Sequence, residues 1–169
     1  MAGWKGHIVG AVAVNTVYIA GIQFAPGNTF ATTDVLLADW QFITALYVVA
    51  ILFGLWPDVD TNSKGQDIFI GTAFIADILL ILSGRFEAAA YLGLVAMTPI
   101  VGKHRGWTHS KWAMLIVPLP LFLLPYFNNL NYPSVPFLIY WAAVGGYFSH
   151  LLLDGRITKK IRVKSKQSW

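Results

Sequence analysis

Four histidines and a few aspartates carry the chemistry open to this chain. They are His7 in Gly-His-Ile-Val-Gly, Asp58 and Asp60 in Pro-Asp-Val-Asp, His104 and His109 in His-Arg-Gly-Trp-Thr-His-Ser, and His150 with Asp154 in His-Leu-Leu-Leu-Asp. Imidazole and carboxylate together make the donor set of a divalent metal site. The chain has no cysteine, which excludes thiolate ligands and disulfides. These seven groups exceed the three or four that one zinc takes, so one or two ions fit the set, with an aspartate as bridge. Zinc is the first expectation; manganese or magnesium would accept the same donors.

The elements that must position these groups are membrane helices. Of the residues 56% are hydrophobic and only 12% charged, about half the charge of a soluble domain. Apolar stretches cover roughly residues 8–25, 36–56, 68–83, 88–102, 112–127 and 136–153. A full crossing takes about 20 apolar residues, so the third and fourth stretches are short. The reading is all-α: a polytopic bundle of about six transmembrane helices. Its fifth is kinked by Pro118, Pro120 and Pro125. Residues 1–155 form one transmembrane domain, and 156–169 a basic tail. A cleaved signal peptide over 1–25 is the weaker alternative, because no small-residue cleavage motif follows the apolar run.

Six spans place Lys5, Lys64, Lys103, Arg105, Lys111 and the six cations of the tail on one side, leaving Arg85 alone on the other. Excess Lys and Arg mark the cytoplasmic side, so both termini are expected there. The topology drawn from Lys and Arg alone also gathers His7, Asp58, Asp60, His104, His109, His150 and Asp154 onto that face. An odd number of spans between any two clusters would have divided them across the bilayer.

Local spacing supports ligation. His150 and Asp154, four apart, share one helix face. Extended backbone after Pro57 would point Asp58 and Asp60 the same way. Gly106 permits a turn between His104 and His109, and Thr108 could cap the helix that follows. Gly6 and Gly10 allow another helix close to His7. Each feature also has a plain reading: a lone interfacial histidine marks a helix boundary, Pro-Asp-Val-Asp stops a helix, and the basic tail fixes orientation. Asp77, in mid-span where charge is costly, belongs to no cluster and reads as a protonated or helix-bonding group. The Trp and Tyr residues decorate span ends, as interfacial aromatics do.

The four blocks, in this order and with Asn62-Ser63-Lys64-Gly65 after Pro-Asp-Val-Asp, resemble the inner-membrane-associated, LexA-binding metal-dependent hydrolases of bacteria and archaea. That family looks distantly similar to zinc-dependent phospholipases C. The resemblance implies an inner-membrane hydrolase with a His/Asp metal site, and a cytoplasmic protein partner is a further implication. Thr61 departs from the pattern, since many members carry His there.

Two metals suit phosphate esters. In that chemistry Asp60 or Asp58 would bridge or act as base, Arg105 and Lys64 would neutralise phosphate, and Ser110 would help to bind substrate. Membrane lipids are the expected partners, with anionic headgroups near the tail and no nucleic acid. A non-catalytic subunit with a structural metal, a metal-ion transporter using Asp77, and a metal-free phosphatase with a His nucleophile are the other classes. The last lacks the basic and Ser-Gly-His elements it requires.

Overall fold

The computed structural model describes residues 3–24, 38–59, 64–101, 107–127 and 134–157, and every regular element among them is a helix. In chain order these are α1 (Trp4–Gln23), α2 (Trp40–Leu55), a 3₁₀ turn over Trp56–Asp58, α3 (Lys64–Leu82), α4 (Phe86–Val101), α5 (Lys111–Ile116), α6 (Leu119–Phe127) and α7 (Ser134–Leu153). Four segments, Trp4–Gln23, Trp40–Asp58, Lys64–Leu82 and Ser134–Leu153, are long and apolar enough to cross a membrane. The fold is thus the all-helical membrane bundle that composition implies.

Two stretches differ from the sequence reading. The third is a full-length helix because Lys64, Gly65, Gln66 and Asp67 extend it beyond its apolar run. The fifth is two short helices, not one bent one, with a turn at Val117–Pro118. Pro118 has no N–H for the ladder and its ring crowds the carbonyl one turn back. The chain restarts with a tighter bond from Leu121 N–H to the Pro118 carbonyl.

The helix α7 packs against both α1 and α2, which also pack on each other, while α3 pairs chiefly with α4. Lipid supplies little hydrophobic drive between helices, so such seams depend on close backbone approach at small residues. Gly146 of α7 is the tightest point: a Cβ there would stand 1.9 Å from the Ala50 carbonyl oxygen of α2. At Gly54 of α2 a Cβ would meet the Cβ of Ala11 on α1 at 3.0 Å. The buried residues of α1 are His7, Ala11 and Asn15, at the four-residue spacing of one helix face.

Two helix ends close in the same way. Gly84 (φ 71°) follows α3 and Gly155 (φ 69°) follows α7. After α7, Gly155 N–H bonds the Leu152 carbonyl and Arg156 N–H the Leu151 carbonyl, which is the Schellman pattern that a left-handed glycine permits. Asp154 is thereby fixed as the last residue before the reversal. The beginning of α1, the end of α2, the approach to α5 and the end of α7 meet at one end of the bundle. Buried Trp56, Val59, Tyr147 and Leu151 pack there in the larger core cluster.

Candidate metal centre

Five side chains from four segments converge at that end. His7 lies in the opening turn of α1, Asp58 on the 3₁₀ turn after α2, His109 just ahead of α5, His150 in the last turn of α7 and Asp154 at its cap. Pro57 sits within the 3₁₀ turn, and helical backbone at Val59 (φ −66°, ψ −20°) carries the chain onward. The extended strand expected after Pro57 is therefore replaced by a tight turn, which swings Asp58 under the helix end. Both carboxylates stand where a helix finishes. The C-terminal partial charges of α2 and α7 favour a cation there, offset in part by the start of α1.

Asp58, His109, His150 and Asp154 each offer one ligand atom within 4.8 Å of the others. Nε2 of His109 lies 3.4 Å from Asp58 Oδ1 and 3.9 Å from Asp154 Oδ2, and Nε2 of His150 lies 3.7 Å from each of these oxygens. The two Nε2 atoms are 3.4 Å apart. A tetrahedral ion with bonds of roughly 2.0–2.2 Å needs donors about 3.3–3.6 Å apart; the separations that involve an imidazole suit such an ion, and the whole set, within 4.8 Å, would draw in around it. The cluster can hold a metal ion. His7 stands beside His150 and meets the second oxygens of both carboxylates, its Nε2 lying 3.7 Å from Asp58 Oδ2 and 3.7 Å from Asp154 Oδ1. Its ring stacks on that of His150, with centroids 3.8 Å apart and planes 17° from parallel.

Orientation of the ligands is enforced by their neighbours. Nδ1 of His150 is 2.8 Å from the carbonyl oxygen of Gly54. A carbonyl only accepts, so Nδ1 carries the proton and donates, leaving the Nε2 lone pair aimed into the cluster. The Thr108 hydroxyl lies 3.2 Å from Nδ1 of His109, and the Tyr147 hydroxyl donates to the Thr108 carbonyl. Trp56, fully buried, packs against Trp107 and Tyr147 and donates Nε1–H to the Val95 carbonyl at 3.0 Å, joining α4 to the site. The side chains of His7, His109, His150 and Asp154 are at most 1% exposed, whereas that of Asp58 is 21% exposed. Asp58 is the member of the cluster most open to solvent.

Of the seven ligands expected, His7, Asp58, His109, His150 and Asp154 come together; Asp60 and His104 lie outside the described residues, as do Arg105, Thr61 and Gly106. Lys64 is exposed at the start of α3, near the same end. Ser110, expected at substrate, caps α5 by accepting from Ala113 N–H at 3.0 Å. The capping expected of Thr108 falls to Ser110, and Thr108 faces His109 instead. Four positioning residues escaped the sequence reading: Gly54, Thr108, Trp56 and Tyr147. Only Gly54 left a signal, as a glycine one helical turn before Asp58 at a helix end.

The family described as YdjM inner membrane protein matches residues 1–163, and the chain belongs to it. That agrees with the inner-membrane character expected from the motifs; the description names no activity and no kinship with phospholipases. No curated protein and no solved structure matches the chain.

Proposed function

We propose that this inner membrane protein is a metal-dependent hydrolase whose His/Asp centre faces the cytoplasm and cleaves a phosphoester of a lipid or another membrane-bound substrate. One observation carries the reading. Asp58 and Asp154 each turn one oxygen toward His109 and His150 and the other toward His7. Carboxylates shared in this manner suit two ions better than one, and paired ions suit displacement at phosphorus. Zinc is the first choice for a donor set rich in imidazole, with manganese or magnesium as alternatives. When bound, the ions supply positive charge to the phosphoryl oxygens and acidify water.

The chain's own residues do the rest. Water adds to phosphorus, the P–O bond to the alcohol breaks, and the proton lost by water ends on that alcohol. Asp58, the most exposed carboxylate of the cluster, would hold metal at the edge nearest solvent, and taking the proton and returning it falls to Asp60. Lys64 is an exposed cation at the site end, available to a phosphate. Asp60, Arg105 and His104 are assigned to base, phosphate and ligand roles from their sequence positions. A phosphoester at headgroup depth is most often a phospholipid. The cytoplasmic facing rests on the distribution of Lys and Arg, and the basic tail would meet anionic headgroups.

Elemental analysis of purified protein, with His109→Ala and His150→Ala beside the wild type, tests the centre. A screen of phosphodiester lipids tests the reaction. Stoichiometric metal in the wild type, lost in both variants together with turnover, is the expected result. Full metal retention in both variants would overturn the site. A structural metal that braces the bundle or a docked cytoplasmic protein is the second reading, favoured by the enclosure of four of the five ligands. Stoichiometric metal with no turnover of any phosphoester would select it.

A further inference from the structure

Tyr140 and Tyr147 stand seven residues apart on α7, which sets both on one face of that helix, about 10 Å from each other along its axis. Each donates its hydroxyl to a main-chain carbonyl of the segment that carries His109: Tyr147 to Thr108, and Tyr140 to Leu115 at 3.2 Å. Those carbonyls are also seven residues apart in the sequence. The segment therefore runs antiparallel to α7 and is fastened to it at two points, with His109 between them.

The fastening at Leu115 answers a break in the chain. Pro118 has no N–H to offer Met114 and Pro120 none to offer Ile116, and among the described residues no main-chain N–H reaches the Leu115 carbonyl. A carbonyl left open beside a spanning helix has to find its partner within the protein. The Tyr140 hydroxyl is that partner. Its ring meanwhile lies 6.2 Å, centroid to centroid, from that of Phe122 in α6, so one side chain of α7 touches both sides of the junction between α5 and α6.

We propose that Tyr140 is a positioning residue of the metal centre: by holding the Leu115 carbonyl it keeps α5 in register on α7, and so keeps His109 facing His150. One helix then supplies two candidate ligands, His150 and Asp154, together with both fastenings of a third. His109 needs them because α5, which begins two residues after it, has only six residues and buries only Ala113. A helix that short does not hold its place by its own hydrogen bonds. The role rests on the metal reading of the His/Asp cluster and is independent of the reaction assigned to it.

The test is a competition titration of Co2+ against a chelating dye, on the full-length protein in detergent. Tyr140→Phe removes the hydroxyl and leaves the ring on Phe122, and the visible absorption of bound Co2+ reports a change in its donors. Tyr18→Phe is the comparison, since the Tyr18 hydroxyl donates to the Leu138 carbonyl of α7, also at 3.2 Å, and spans no break. Helical circular dichroism reports the fold of each variant. Tyr140→Phe should weaken Co2+ binding by about threefold to tenfold, the reach of one neutral hydrogen bond, and shift the visible band. Tyr18→Phe should change neither. Unaltered affinity and absorption in Tyr140→Phe would overturn the proposal, as would an equal loss in Tyr18→Phe, which would mark a general loosening of the bundle. The expected loss in Tyr140→Phe alone, in a protein that hydrolyses no phosphoester, would support the positioning role and remove the hydrolase reading. A wild type that binds no Co2+ would overturn both.

Discussion

His150 illustrates how much of a candidate metal ligand's orientation is set by atoms that would not touch the ion. The Gly54 carbonyl fixes its tautomer, and the stacked ring of His7 fixes its plane. His109 depends on Thr108, whose hydroxyl faces its Nδ1 and whose carbonyl is held by Tyr147. Removing such a partner typically weakens metal binding by about 10–100-fold. Thr108→Val, which keeps the shape, should therefore lower metal affinity by about tenfold in a competition titration with a chelating dye, while the helical circular dichroism stays unchanged. Unaltered affinity would mean that the hydroxyl does not orient the ring. Tyr147→Phe should act one step further out, through the position of the Thr108 backbone. The five side chains that cluster were legible in the sequence as candidates because an apolar chain keeps few imidazoles and carboxylates. Their orienting partners were not, since a backbone carbonyl has no sequence signature and Thr108 sits where a capping residue would.

The seam between α2 and α7 couples packing to ligation. Gly146 lies one turn before His150, and Ala50 lies two turns before Asp58, so whatever separates the two backbones also separates the ligands they carry. Gly146→Ala places a methyl where Ala50 oxygen stands. It should cost about 3 kcal/mol or more, at or beyond the upper end of overpacking, and should lose metal as well. Thermal unfolding and elemental analysis of the same preparation check both; a stable, metal-replete variant would show that the seam can shift without disturbing the centre. Asn15 is the opposite case. It is buried on the inward face of α1 with neither amide atom hydrogen-bonded among the described residues, a cost of roughly 1–3 kcal/mol. Asn15→Leu should thus raise the unfolding temperature, and a fall would place a bound water at the amide. Long apolar stretches identified these elements, and alternation of spans placed the ends that carry the His and Asp blocks together. The break at Pro118 could have been a kink or a stop, because lipid and neighbouring helices, which the sequence does not display, decide whether freed carbonyls are satisfied.

For the molecule as a whole, the candidate ligands come from positions as distant as His7 and Asp154, so a bound ion would tie the start of the described chain to its end. Binding only to the folded form stabilises by about 4 kcal/mol when the ion is present at a thousand times its dissociation constant. Chelation should therefore lower the unfolding temperature of the wild type and leave His150→Ala, already without metal, nearly unmoved. The same end of the bundle carries Lys5, Lys64, Lys111 and Arg156, whereas Arg85 lies in the turn after α3, at the other end. If that asymmetry sets insertion, the centre lies at the cytoplasmic leaflet, and the proposed substrate would come from there. The native chain has no cysteine, so Lys5→Cys and Ser83→Cys each give a single reporter without further engineering. In intact spheroplasts a membrane-impermeant maleimide should label the variant at position 83 and spare the one at position 5 until the membrane is opened. The reverse pattern would place the His/Asp centre on the outer face, where the lipids of the opposite leaflet, and not the cytoplasmic pool, would have to supply whatever it cleaves.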